Sequence, residues 1–193
     1  MGRDPGGPVT RGRIVAVIFD FGDTLADETT EEKDSHQVTQ RALLFPGAKN
    51  AVLELHQRGY VLGLLADCSR GAGRASYDNV LRQHGMGDLF ASIVTSDDAG
   101  VVKPHPRMFE LMLRALAIAD EDSDRVVMVG NRLDRDVKGA NQAGLVSVWC
   151  RLSTRYPTAP KDGSEVPRYE FSDFARLPGL ITAIEDLQGD ANR

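Results

Sequence analysis

Five short apolar runs, each followed by a stretch of helical spacing, constrain this chain more than any other feature. They are Ile14 to Phe19, Val61 to Ala66, Ala91 to Thr95, Arg125 to Val129 and Val146 to Trp149. β-Branched and aliphatic residues dominate them with little polar alternation, the pattern of strands buried on both faces of a parallel sheet. Pro46 precedes a helix over Gly47 to Arg58, in which Ala48, Ala51, Val52 and Leu55 recur at helical spacing and after which Gly59 supplies the stop. Further helices are predicted over Arg74 to His84, Pro106 to Ile118, Arg135 to Ala143 and Leu177 to Leu187. Strands and helices that alternate through short connections imply an α/β fold, a doubly wound parallel sheet with right-handed crossovers in three layers. At 193 residues one domain of ordinary size accounts for the chain.

Three stretches stand outside the alternation. Residues 1–13 read as a disordered leader, leaving 14–193 as the core domain. Ala26 to Phe45 opens acidic, with Asp27, Glu28, Glu31, Glu32 and Asp34 against Lys33. Its length suits an extended loop or small lid. Because charge runs are commonly solvated, the plainer expectation is a surface loop with a short helix around Val38 to Leu44. Arg151 to Tyr169, rich in Pro, Ser, Thr and Lys, reads as a loop wrapping toward the last helix.

Composition narrows the function classes. A net charge of -5 argues against nucleic-acid binding, so a small anion would need a local positive pocket. The leader lacks the apolar stretch of a signal peptide, and the run from Ile14 is too short to span a bilayer. Cys68 and Cys150 each follow a predicted strand, which suits reduced thiols better than a disulfide, and the expected location is cytoplasmic.

The first strand passes directly into Asp20, in D-F-G-D-T-L. A parallel strand that delivers a carboxylate to its C-terminal end places it where such sheets bind ligands. Three more segments follow strands in the same way: V-L-G-L-L-A-D-C-S, V-V-K-P-H-P-R-M-F and V-V-M-V-G-N-R-L-D-R-D-V-K-G-A-N-Q-A-G-L. Together the four resemble the motifs of the haloacid dehalogenase superfamily, over roughly Ile14 to Trp149, with a Rossmann-like core and no large cap domain.

That resemblance implies a Mg²⁺-dependent phosphomonoester hydrolase in which Asp20 attacks phosphorus and an aspartyl-phosphate is then hydrolysed. It assigns Lys103 to the charge of the phosphate, a role that suits an ammonium point charge. His105 is read as a surface residue of the following helix start. The implied metal set is Asp20, the main-chain carbonyl of Gly22, Asn131 and Asp136, the last either binding directly or from behind; Asp134 is read as structural. Thr24 packs or hydrogen-bonds within the turn after the strand.

Three positions depart from the family pattern. Gly22 stands where the usual D-x-D-x-T carries a second aspartate, the acid and base of the reaction. Ala66 stands where Ser or Thr holds the phosphate, so that contact falls to the turn amides of Asp67 and Cys68, or to Ser69. Asn131 replaces the first metal-binding acid. A missing general acid costs about 10² to 10⁴ in rate, least for good leaving groups. A nearly inert binding or scaffold module is therefore the competing reading. Asp23 either turns inward to replace the acid or binds nearby amides. Arg70, Arg74, Arg107, Arg132 and Arg135 surround the motifs and would attract anions. A site without a cap implies a bulky phosphorylated substrate, or a second copy of the chain that completes the pocket.

Overall fold

The computed structural model describes residues 13–191; most of the expected leader lies outside them. Its centre is a six-stranded parallel sheet: β1 (Ala16–Phe19), β4 (Val61–Ala66), β5 (Ser92–Thr95), β6 (Val126–Gly130), β7 (Val146–Cys150) and β8 (Tyr169–Phe171). The spatial order is β5-β4-β1-β6-β7-β8. β1 pairs in register with β4 on one side (Val17 beside Leu62) and with β6 on the other (Val17 beside Val127). Chain order therefore reverses around β1, which opens a crevice at the C-terminal end of that strand.

Alternate side chains of each strand enter opposite layers. Val17 and Phe19 face the layer containing helices α1 (Ala48–Gln57), α2 (Ala75–Gln83) and α6 (Leu177–Ala191), through Val52, Leu55, Val80, Leu81, Ile181 and Ile184. Ala16 and Ile18 face the other, where α4 (Pro106–Ala115) contributes Met108, Phe109 and Met112 and α5 (Lys138–Gln142) contributes Ala140. A single turn, α3 (Ser96–Ala99), follows β5 and begins with a reciprocal capping box between Thr95 and Asp98.

The acidic segment departs from the expected loop with a short helix at Val38 to Leu44. It is an antiparallel hairpin, β2 (Ala26–Lys33) and β3 (Thr39–Leu44). Asp34 makes the reversal: its Oδ1 accepts the amides of His36 and Val38. The free edge of β3 is occupied by α2. Ser76 Oγ accepts the Thr39 amide at 3.0 Å, Asn79 Nδ2 donates to the Thr39 carbonyl at 3.1 Å, and His84 Nε2 lies 2.8 Å from the Ala42 carbonyl. These bonds hold the hairpin against the body of the fold and block its edge from pairing elsewhere. The wrapping loop also contains more order than expected, since it ends in β8, which extends the sheet beside β7.

Candidate active site

The four motif segments meet at the C-terminal ends of β1, β4 and β6. Asp20 directly follows β1, and its amide still bonds to the Val129 carbonyl of β6 at 2.9 Å. The chain then closes tightly, with the amides of Thr24, Leu25 and Ala26 all donating to the Phe21 carbonyl. This turn sends Thr24 back toward the strand, where its Oγ1 donates to Asp20 Oδ2 at 2.8 Å.

Lys103 reaches the other oxygen of Asp20. Its Nζ lies 2.6 Å from Asp20 Oδ1, 2.7 Å from Asp136 Oδ1 and 2.8 Å from the Leu65 carbonyl. All three ionic groups are buried, Lys103 at 2%, Asp136 at 1% and Asp20 at 8% exposure. Burial alone would lower the lysine's proton affinity, but Asp136, Asp20 and Asp67 outweigh it and hold the ammonium above its ordinary pKa. Burial and the charge of Asp20 raise the Asp136 carboxyl against the pull of Lys103. Two carboxylates therefore confront one ammonium, with negative charge in excess.

Asp136 is aimed by a wide turn, Leu133–Val137, in which the amides of both Asp136 and Val137 bond to the Arg132 carbonyl. Its second oxygen accepts the Arg132 amide at 3.0 Å, so both oxygens are occupied within the chain. The side chain folds over Gly130, where an added Cβ would lie 2.3 Å from Asp136 Cγ. Gly130→Ala is accordingly expected to lift Asp136 away from Lys103 and destabilise the protein by about 1 to 3 kcal/mol. An unchanged urea midpoint would show that Asp136 has room to move.

Asp67 and Cys68, whose turn amides are expected to hold phosphate, also make contacts within the chain. Asp67 Oδ1 accepts the Lys103 amide at 3.0 Å, and Oδ2 pairs with Arg135 at 2.8 Å. The Cys68 amide donates to Ser96 Oγ at 3.0 Å and is already satisfied. Both cysteines are free thiols. His105 caps α4 by accepting the Arg107 amide on Nδ1, in keeping with a helix-start residue. Asp134 pairs with Arg132, and Arg74 with Asp78. Arg70 and Arg107 are exposed.

Asp23 occupies the left-handed region at φ 53° and is fully engaged: Oδ1 accepts the Glu28 amide at 3.1 Å and Oδ2 pairs with Arg155 at 2.9 Å. Arg155 also reaches Glu28 Oε2 at 3.0 Å. Glu28 and Arg155 belong to the site although neither stands in a motif. Glu28 was visible only as one member of an acidic run, and Arg155 comes from the wrapping loop 127 residues later. Burial raises the Glu28 carboxyl, with Asp23 and Glu31 adding and Arg155 opposing.

A cleft of about 250 Å³ opens beside this group, walled on one side by Glu28, Glu31, Lys33 and Thr39 of the hairpin and on the other by Asp67, Cys68 and Ser69. Its surface is largely polar. Among the described residues no three His, Cys, Asp or Glu side chains group as metal ligands. A cation here would draw on a mixed set of oxygens: the Asp20 carboxylate, the Gly22 carbonyl and the amide of Asn131. That set suits a hard ion, and the excess of negative charge around Lys103 favours one. Asn131 Nδ2 is a buried donor without a hydrogen-bond partner among the described residues, free to meet an acceptor. The Asn131 backbone is fixed instead, its carbonyl accepting Trp149 Nε1 at 2.9 Å.

A strand-end carboxylate facing a buried ammonium, at the point where a parallel sheet reverses its strand order, defines an α/β protein with a charged ligand crevice at its switch point. The haloacid dehalogenase-like hydrolase model matches residues 19–144, and the chain belongs to that family. It is 31% identical over 144 residues to glyceraldehyde 3-phosphate phosphatase of Pyrococcus furiosus, covering 75% of this chain and 55% of that protein. It is 31% identical over 138 residues to phosphoserine phosphatase of Thermus thermophilus, covering 72% and 51%. The chain thus spans about half the length of these relatives. An uncharacterised protein of known structure from Listeria monocytogenes serotype 4b superposes with a TM-score of 0.69 at 25% identity, covering 89% of this chain and 99% of that one.

Proposed function

We propose that the chain hydrolyses phosphate monoesters, with Asp20 as the nucleophile. The observation that carries this reading is Asp20 at the mouth of the switch-point crevice, with one oxygen bound by Thr24 and the other by Lys103. Thr24 and Lys103 fix the carboxylate's orientation before substrate arrives, so the nucleophile itself loses no rotamer freedom in reaching an in-line approach. Attack on phosphorus gives an aspartyl-phosphate on Asp20, and water then releases phosphate. Lys103 balances the charge of the transferring group, while Asp136 holds that ammonium from behind.

Asp20, Gly22 and Asn131 would hold Mg²⁺, with Asp136 adjacent. Mg²⁺ bound there supplies Lewis-acid charge neutralisation to the phosphoryl oxygens. A polar cleft of about 250 Å³ suits a small phosphorylated metabolite, and the relatives are named for phosphatases of glyceraldehyde 3-phosphate and phosphoserine. Free thiols at Cys68 and Cys150 suit a reducing, cytoplasmic setting.

A second reading, a binding or scaffold module without appreciable turnover, is favoured by the thin cradle at the end of β4: Ala66 offers no hydroxyl, and the Cys68 amide is taken by Ser96. Phosphate release from p-nitrophenyl phosphate and a panel of small metabolite esters separates the two. Hydrolysis in Mg²⁺, stopped by EDTA and restored by excess Mg²⁺, is the expected result. Ester binding by calorimetry with no release above the protein-free rate would establish the second reading instead.

A further inference from the structure

An aspartyl-phosphate route needs a group that protonates the leaving oxygen and later takes a proton from water. Most carboxylates around the strand ends are fully committed. Asp20 is held by Thr24 and Lys103, Asp136 by Lys103 and the Arg132 amide, and Asp67 by the Lys103 amide and Arg135. Asp23 is held by the Glu28 amide and Arg155, and Glu31 by Thr39 and Lys33. Glu28 differs. Arg155 takes its Oε2, and Oε1 is left without a hydrogen-bond partner among the described residues.

That uncommitted oxygen lies over Gly22, two residues beyond Asp20. A Cβ at position 22 would lie 2.0 Å from Glu28 Oε1 and 2.8 Å from Glu28 Cδ. Position 22 is thus free of a side chain where a carboxylate from the hairpin fills the space. Gly22 and Glu28 also line the cleft shared with Asp67, Cys68 and Ser69, which begins two residues beyond Asp20. We infer that Glu28, delivered by β2, is the general acid and base of this site. The inference rests on the phosphatase reading above.

The steps balance. As an Asp20 oxygen bonds to phosphorus and the phosphorus–leaving-oxygen bond breaks, Glu28 Oε1 gives its proton to the leaving oxygen and the alcohol departs. Glu28, now ionised, takes one proton from water as the water oxygen bonds to phosphorus and the phosphorus–Asp20 bond breaks. Phosphate leaves, and Glu28 is protonated again. Asp23 and Arg155 are positioning residues in this scheme, the first through the Glu28 amide and the second through Oε2.

The test compares kcat/KM for aryl phosphates of graded leaving-group basicity and for an alkyl phosphate, in the unmodified chain and in Glu28→Gln. An acid helps poor leaving groups most, so Glu28→Gln should lose about 10² to 10⁴ on the alkyl ester and less than about tenfold on p-nitrophenyl phosphate. Glu28→Ala/Gly22→Asp, which returns a carboxyl to the same space from the other side, should regain alkyl-ester turnover over Glu28→Ala. Equal losses across all leaving groups, or no regain in the double variant, would overturn the role of Glu28 while leaving the nucleophile standing. If the unmodified chain hydrolyses none of the esters, the phosphatase reading fails and Glu28 falls with it.

Discussion

Asp20→Asn is expected to lower kcat for p-nitrophenyl phosphate by about 10⁴- to 10⁶-fold, because an amide oxygen is too weak a nucleophile to open the covalent route. The substitution is nearly isosteric. Lys103 would keep Asp136 at 2.7 Å and the Leu65 carbonyl at 2.8 Å. The fold should therefore survive, and thermal unfolding within a few degrees of the parent would confirm that the loss is chemical. Acid quenching during turnover should trap a hydroxylamine-sensitive acyl phosphate in the parent and none in the variant. Retention of more than about a tenth of parental turnover would remove Asp20 from the nucleophile's role.

Lys103→Met should show the opposite profile, with stability failing together with activity. Among the described residues the ammonium is the one cation paired with the buried carboxylates of Asp20 and Asp136, and methionine fills much of its volume while leaving them to face each other. Breaking a buried ion cluster by removing one partner typically costs about 3 to 5 kcal/mol, since the residual charge stays desolvated. Burying two carboxylates without their cation outweighs the apolar burial that methionine gains. Urea denaturation would measure the loss, and Lys103→Met/Asp136→Asn should recover part of it by removing one of the two charges. A variant as stable as the parent would mean that water or a bound cation already screens the pair. The two substitutions separate roles that sit 2.6 Å apart: Asp20 is needed for the reaction, Lys103 for the reaction and for the centre of the molecule.

The parts of the molecule legible in the sequence are those whose cause is local. β1 was marked by its own apolar residues, and Asp20 by ending it; Lys103 was marked by the Pro-bounded start of α4. Each follows from neighbours within a few positions. The hairpin was hidden because β2 is acidic, and its partner β3 is fixed by Ser76 and Asn79, 37 and 40 positions further along. Which acid of the run meets the crevice depends on the β2–β3 register, which shifts between Asp27 and Glu32. No periodicity in the run encodes that shift. The engagement of the Cys68 amide was hidden for the same reason, since Ser96 lies on the turn after a different strand. β8 escaped notice because three residues at a sheet edge, Tyr169–Phe171, carry too little pattern to stand out from a loop.

One bond has a use apart from holding the fold. Trp149, at the end of β7, donates its indole nitrogen to the Asn131 carbonyl, with the guanidinium of Arg151 set 5.1 Å from the ring centre. It is the only tryptophan in the chain. The molecule therefore carries a solitary fluorophore tied by one hydrogen bond to the backbone of a residue in the oxygen set proposed to hold a cation. Its emission is an intrinsic optical gauge of that end of the crevice, free of background from other indoles.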